Sequence, residues 1–256
     1  MAGKKQRLDQ LVLKRGLAES RSRAQALILA GRVVVDDHRV DKPGTRVNSD
    51  AEIRIKGADH PYVSRGGVKL QGALEEFAVK VDKKVALDVG ASTGGFCDCL
   101  LQHGAARVHA LDVGRGQLHN KLVGDSRVIS IEGQNIRELD EDALDEKVDL
   151  AVMDLSFISL RLALPKVLPH LKPGGRILAL VKPQFEVGKN RVGKGGIVRD
   201  EKLREEAVDQ IAEFAESLGL KVEGRSQSRL PGADGNIEYF LLLQLGRGGG
   251  VGIRFD

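Results

Sequence analysis

The stretch Leu87-Asp88-Val89-Gly90-Ala91-Ser92-Thr93-Gly94-Gly95-Phe96 leads from an apolar run through glycines into a helical pattern. Glycines at such a turn let a ligand approach the backbone, and the following helix presents unpaired N–H groups. The spacing Gly90…Gly94-Gly95 is not G-x-G-x-x-G, so the standard dinucleotide fingerprint is missing. Asp112 closes the next apolar run, where a carboxylate accepts hydrogen bonds from ribose hydroxyls. Glycine loop and acidic strand end together point to an adenosine-type ligand. Three further charged residues flank apolar runs: Asp154 follows Val148–Met153, Lys182 follows Leu178–Val181, and Glu238 precedes Tyr239–Leu243. Strand ends of a parallel sheet form the crevice where substrates bind, so three such residues nominate a site. Between Val187 and Arg199 a Gly-rich basic stretch carries Lys189, Arg191, Lys194 and Arg199, which suits contacts to nucleic-acid phosphates.

The elements that must position these residues follow from periodicity. Strand-like runs at Val85–Val89, Arg107–Leu111, Val128–Ile131, Val148–Met153 and Arg176–Val181 alternate with helical stretches near 95–103, 116–122, 136–145 and 157–170. A helix over Gly67–Phe77 precedes them. The βα alternation predicts an α/β fold, a parallel sheet with helices on both faces. A long helix, Asp200–Leu218, stops at Gly219 and leads to two last strands near Lys221–Arg229 and Ile237–Leu245, an antiparallel finish. Ahead of all this, residues 1–56 read as a small α+β unit. It has a short helix ending near Gly16, a second over Arg23–Ala30 with a capping box at Ser22 and Gln25 and a stop at Gly31, then short strands at Arg32–Val35, Arg39–Val40 and Ala51–Ile55. Residues 57–63 read as a linker and 247–256 as a Gly-rich flexible tail, leaving 64–246 as the larger domain.

Charge divides the same way. The chain of 256 residues carries a formal net charge of +4. Residues 1–56 hold 13 Lys and Arg against 7 Asp and Glu, and the remainder holds 27 against 29. A basic excess confined to the first fifth suits a module that docks on a polyanion. Cys97 and Cys99 form no disulfide framework and lack zinc-knuckle spacing, so reduced thiols and a cytoplasmic location are expected. No apolar run reaches membrane-spanning length and no secretory h-region follows the N-terminus. Aromatics make up 4% of residues with no Trp, so few rings serve for stacking.

Longer motifs then identify a family. Ser92-Thr93-Gly94-Gly95-Phe96, Asp154-Leu155-Ser156-Phe157-Ile158-Ser159-Leu160, Val181-Lys182-Pro183-Gln184-Phe185-Glu186-Val187-Gly188, Tyr62–Leu70 and Gly193–Gly196 resemble the TlyA, or hemolysin A, family. The resemblance covers essentially the whole chain. It implies a Rossmann-like methyltransferase sheet of FtsJ type, parallel with an antiparallel last strand, fused to an N-terminal S4-type RNA-binding domain. It implies S-adenosylmethionine as methyl donor and cytidine 2′-O-methylation of ribosomal RNA. A Lys-Asp-Lys-Glu tetrad falls on Lys69, Asp154, Lys182 and Glu238; Lys69, on an ordinary-looking helix, enters through the resemblance alone. Donor contacts are expected at Asp88, Gly90, Ala91, Ser92, Gly94, Gly95, Phe96, Asp112, Asn135 and Asp154. Ala18–Ile28 resembles the paired-helix motif of S4-type domains, which makes Arg7, Arg21 and Arg23 expected phosphate contacts beside Lys189, Arg191 and Lys194. The chain ends soon after its last strand where longer relatives add a helix, and 23S RNA is therefore favoured over 16S.

In the expected chemistry Lys182 is the general base for the 2′-hydroxyl or the stabiliser of the emerging alkoxide. Asp154 holds that lysine beside the donor methyl, and Glu238 orients the second lysine or the ribose. The reaction calls for no metal. The partners are ribosomal RNA or ribosomal subunits, and a monomer or weak dimer is expected. Three rivals stand against this reading: a nicotinamide-dependent oxidoreductase, a membrane-lytic protein, and a catalytically silent RNA-binding factor.

Overall fold

Leu8, Leu11 and Val12 recur at helical spacing, and in the computed structural model they bury one face of a seven-residue helix. The structure describes residues 5–18, 20–55, 60–232 and 234–247, and the chain divides into two units, Met1–His60 and Pro61–Asp256. The first unit contains β1 (Lys5–Arg7), α1 (Leu8–Lys14), α2 (Arg21–Leu29), β2 (Val33–Val35), β3 (His38–Val40), β4 (Arg46–Asn48) and β5 (Ile53–Ile55). Strands β3-β2-β5 form one antiparallel sheet and β1 pairs with β4. Two corrections apply. The cap of α2 is Ser20, whose hydroxyl accepts from the Arg23 amide at 3.1 Å, not Ser22. Gln25, expected in a capping box, instead donates to Asp9 at 3.0 Å. Gly31 does close α2: its φ is +64°, and the Gly31 and Arg32 amides return to the carbonyls of Ile28 and Leu27. Strands β1 and β4 were not foreseen; three polar-rich residues each carry too little pattern to read.

The second unit runs α3 (Arg65–Glu76), β6 (Val85–Val89), α4 (Gly95–Gln102), β7 (Arg107–Asp112), α5 (Asn120–Val123), β8 (Val128–Glu132), β9 (Val148–Met153), α6 (Leu160–Val167), β10 (Leu171–Val181), α7 (Pro183–Glu186), α8 (Glu201–Ser217), β11 (Leu220–Gln227) and β12 (Tyr239–Leu245). The sheet order is β11-β12-β10-β9-β6-β7-β8, with only β12 antiparallel to its neighbours. Alternate strand residues feed opposite layers. Ala86, Val108, Leu150, Val152, Leu178 and Leu180 pack with Leu70, Ala73 and Leu100 on the α3–α4 side. Leu87, Val89, Ala151, Met153, Ile177 and Ala179 pack with Leu164, Val208 and Ile211 on the other. The expected helix 136–145 is absent: a 3-10 turn at Ile136–Glu138 gives way to irregular chain. The expected helix 116–122 is reduced to Asn120–Val123, and that over 157–170 begins only at Leu160 behind the capping hydroxyl of Ser159. Of the expected linker, residues 57–59 lie outside the described residues, while Tyr62 is buried in the core of the second unit. The expected tail lies outside the described residues from 248 onward.

Candidate active site

The register explains why charged residues distant in sequence converge. β9 and β10 pair in parallel with Met153 beside Ala179, so Asp154 and Lys182 leave the sheet at the same edge. β12 runs the other way, pairing Tyr239 with Val181, which brings the residue before its start, Glu238, next to Lys182. Lys69 arrives from α3, whose N-terminus lies against that of α4. A Cβ on Gly95 would meet the Gly67 amide nitrogen at 3.0 Å, so glycine there permits the approach.

Four side chains make two ion pairs. Lys69 Nζ donates to Glu238 Oε2 at 2.5 Å, with both side chains nearly inaccessible. Lys182 Nζ lies 2.6 Å from Asp154 Oδ1 and donates to the Ser156 hydroxyl at 3.0 Å. Burying two ammonium groups is tolerable only because each is matched by a carboxylate.

Two cavities meet at Gly90, Ser92 and Asp154. The larger, about 620 Å³, is walled by Leu111, Asp112, Asn135, Ile136, Leu155 and Phe157 among others. The smaller, about 200 Å³, is bordered by Lys69, Ala91, Gly95 and Phe96. Gly90 takes φ +88°, and a Cβ there would stand 2.6 Å from the Asp154 carbonyl oxygen. That close approach opens the passage between the cavities. The Asp112 carboxylate accepts from the Ser92 and Gly114 amides, each at 2.7 Å, and holds the loop. Each of its oxygens keeps acceptor capacity toward ribose hydroxyls. A mixed apolar and polar cleft of this size, with a carboxylate at the second strand end, fits an adenosyl group.

Two expected donor contacts are placed otherwise. Asp88 lines neither cavity: it is fully buried, both its oxygens lack a hydrogen-bond partner, and burial, with the Asp154 and Asp112 charges behind it, pushes its pKa up to about 8. Gly94 lines neither cavity; it caps α4 at φ +90°, where a side chain would run into Leu118 and Leu122. Phe96 borders the smaller cavity but its ring belongs to the core, 6.1 Å from that of Phe240. Asn135 sits in the wall of the larger cleft and caps the turn at Ile136.

The basic residues are less free than their charges implied. In the first unit, Arg7 and Arg21 both reach the buried Asp9 carboxylate, at 3.0 and 3.1 Å, and their hydrogen bonds hold its pKa far below the ordinary carboxylate range. Both remain about half exposed. Arg23 is exposed on α2. In the second unit, Arg191 makes two 2.6 Å bonds to Glu206. Lys194 is exposed, while the side chain of Lys189 lies outside what is described.

Four residues given no role by the sequence stand out. Ser156 holds Lys182. Glu186 accepts from the Ser159 hydroxyl at 2.6 Å and the Leu160 amide at 2.9 Å, tying the loop after β9 to the turn after β10. Asn236, buried, accepts from the Val198 amide and donates to the Gly196 carbonyl, anchoring the Gly-rich stretch beside Glu238. Phe157 is 91% exposed at the rim of the larger cleft, with φ +65° and its ring 5.2 Å from that of Phe185. Adjacency to Asp154, Lys182 and Glu238 was the available signal, but spacing does not say which loops meet.

A parallel sheet with antiparallel β12, a glycine turn after β6 and an acidic end to β7 define the fold of S-adenosylmethionine-dependent methyltransferases. The comparisons specify it further. Residues 62–245 match the FtsJ-like methyltransferase model and residues 6–53 the S4 domain model. The chain is 47% identical over 239 residues, 93% of its length and 89% of the relative's, to the 16S/23S rRNA (cytidine-2'-O)-methyltransferase TlyA of Mycobacterium tuberculosis. It is 38% identical over 180 residues, 70% of its length and 69% of the relative's, to the 23S rRNA (cytidine-2'-O)-methyltransferase TlyA of Campylobacter jejuni. A solved structure from Streptococcus thermophilus that carries the hemolysin name superposes with a TM-score of 0.75 at 42% identity, covering 94% of this chain and 89% of that one. The chain belongs to the FtsJ-like methyltransferases and, among them, to the TlyA (hemolysin A) family, in which an S4 domain precedes the enzyme domain. That membership replaces the nicotinamide alternative. Among the described residues, no helix is long and apolar enough to cross a membrane.

Proposed function

We propose that this protein transfers the methyl group of S-adenosylmethionine to the 2′-hydroxyl of a cytidine in ribosomal RNA. The observation that carries the reading is that Asp154, paired with Lys182, stands where the two cavities meet, while Lys69, paired with Glu238, borders the smaller one. The bound donor supplies an activated methyl on a sulfonium. The residues have to hold the adenosyl group, align the hydroxyl and manage its proton. Asp112, Asn135, Ala91, Ser92 and the backbone at Gly90 and Gly95 form the donor site. Lys182, fixed by Asp154 and Ser156, faces the acceptor oxygen. As an ammonium it offsets the charge emerging there, and it receives the hydroxyl proton only by passing one of its own to the Asp154 carboxylate, for roughly 10²–10⁴ in rate. Lys69, fixed by Glu238, closes the other side and orients the ribose. Phe157 offers a ring on which a target or neighbouring base stacks, the recognition mode RNA-modifying enzymes use for unstacked nucleotides.

RNA is held by the basic first unit through Arg7, Arg21 and Arg23, and by Lys189, Arg191 and Lys194 at the catalytic rim, with Arg191 exchanging Glu206 for phosphate. We favour 23S RNA because it is the substrate named for both the mycobacterial and the campylobacter relatives, and 16S for only one of them.

The test is tritiated methyl transfer to unmodified large and small subunits, with nuclease mapping of the labelled nucleotide, by the native chain and by Lys182→Ala. Label on a cytidine ribose of 23S RNA is expected. In the variant, retained S-adenosylhomocysteine binding and a rate loss of at least about 10²-fold are expected. Label on a base, or wild-type turnover by Lys182→Ala, would refute the proposal.

A further inference from the structure

A second cluster of ligand-type side chains lies away from the cleft, toward the opposite ends of the strands. His109 is an interior residue of β7, with a side chain only 1% exposed, and its Nε2 has no hydrogen-bond partner. A buried imidazole nitrogen left unpaired carries a desolvation cost and calls for an occupant. Asp145 Oδ1 lies 3.8 Å from it and Glu146 Oε1 4.0 Å, just ahead of β9, and one ligand atom from each of the three residues falls within 4.8 Å of the others.

We propose that His109, Asp145 and Glu146 form a binding site for one divalent transition-metal ion of the zinc class. Tetrahedral zinc with bonds of about 2.0–2.2 Å separates its ligand atoms by roughly 3.4 Å, so the two carboxylates need to close on His109 by about half an ångström and on each other by at most about 1.4 Å. One imidazole with two carboxylates is a zinc-type donor set, whereas magnesium and calcium take oxygens alone.

Arg107 supplies the countercharge in the structure. Its Nη1 lies 2.6 Å from Glu146 Oε1 and 3.7 Å from Asp145 Oδ2. The guanidinium is partly exposed, so it can swing outward, and it competes with the metal for the same oxygens. Asp145 and Glu146 end the connection from β8 to β9, whose start carries Gln134 and Asn135 in the wall of the larger cleft. A bound ion would pin that connection to β7.

The experiment titrates the full chain with zinc chloride by calorimetry and with cobalt(II) by visible absorption. One saturable equivalent is expected, with a tetrahedral cobalt spectrum. The Asp145→Asn/Glu146→Gln double variant changes two partly exposed side chains and should fold; it is expected to bind at least about 10-fold more weakly. Arg107→Gln, which removes the competing cation, is expected to bind several-fold more tightly. Absence of saturable binding in both the wild type and Arg107→Gln overturns the proposal. So does undiminished affinity in the double variant, which would assign the metal to other histidines.

Discussion

Removing one member of the Lys69–Glu238 pair separates its structural from its chemical role. At 2.5 Å and an effective dielectric of about 20, the attraction is roughly 7 kcal/mol. Desolvation of two ions whose side chains are only 10% and 3% exposed offsets that gain by several kcal/mol for each ion, so the intact pair is close to neutral for stability. Lys69→Met leaves the Glu238 carboxylate buried and uncompensated, and should cost about 3–5 kcal/mol in urea unfolding. Lys69→Met/Glu238→Leu removes both buried charges together and should return to within about 1 kcal/mol of the wild type. Methyl transfer, measured on unmodified subunits under single turnover, should stay lost in the double variant even though the fold is restored. Two results would refute the reasoning. One is a double variant as unstable as the sum of the singles, which would make the pair a net stabiliser. The other is recovery of turnover along with stability, which would make the pair scaffolding and remove Lys69 and Glu238 from the chemistry.

Asp88 sets a pH dependence. Its folded pKa of about 8 exceeds the ordinary carboxylate value, so above pH 4 the unfolded chain releases a proton that the folded chain keeps, and stability falls as pH rises toward 8. Between pH 5 and 7.5 this group should remove about 3 kcal/mol; Asp88→Asn should abolish that difference in urea unfolding, and an identical slope in the variant would show that Asp88 is ionised in the fold. At Phe157, glycine relieves a left-handed φ and should leave the urea midpoint equal or higher, while single-turnover methylation drops about 10-fold and is retained by Phe157→Tyr. Turnover unaffected by Phe157→Gly would remove the ring from substrate contact. Gly90→Ala must displace the Asp154 backbone and should weaken S-adenosylhomocysteine binding by at least about 10-fold in equilibrium dialysis, whereas Gly124→Ala, with open space at its Cβ, should bind as the wild type does.

What could be read from residues alone follows the strength of the period. Val85–Val89 and Val148–Met153 are continuous apolar runs buried on both faces of a parallel sheet, and their observed bounds coincide with the expected ones. The stretch 136–145 misled because Glu and Leu there favour helix on propensity. Continued as a helix into Glu146, it would set Glu141 against Asp145 and Asp142 against Glu146 at i, i+4, a repulsion with no cation between. Ile136, Leu139 and Leu144 are buried instead by an irregular path. Strand ends disclosed Asp154, Lys182 and Glu238 because a sheet concentrates its termini at one edge. Lys69 is invisible to that logic. It is a buried lysine on an amphipathic helix, and only the partner 169 positions away explains its burial.

The pairing also decides where affinity for RNA has to come from. Lys69 and Lys182 are cancelled by Glu238 and Asp154, and Arg191 by Glu206, so these six side chains together add no net charge. Neutrality there is chemically useful, because an uncompensated pair of ammonium groups would resist burial and would bind phosphates indiscriminately where one hydroxyl must be aligned. Long-range attraction and counterion release then fall to cations outside the tetrad, and the 13 to 7 excess of residues 1–56 is the main reservoir. Even there Asp9 holds Arg7 and Arg21 by carboxylate bonds while leaving their outer faces exposed. In the proposed RNA contact, guanidinium groups preorganised by the buried Asp9 would lose little side-chain freedom on meeting phosphate.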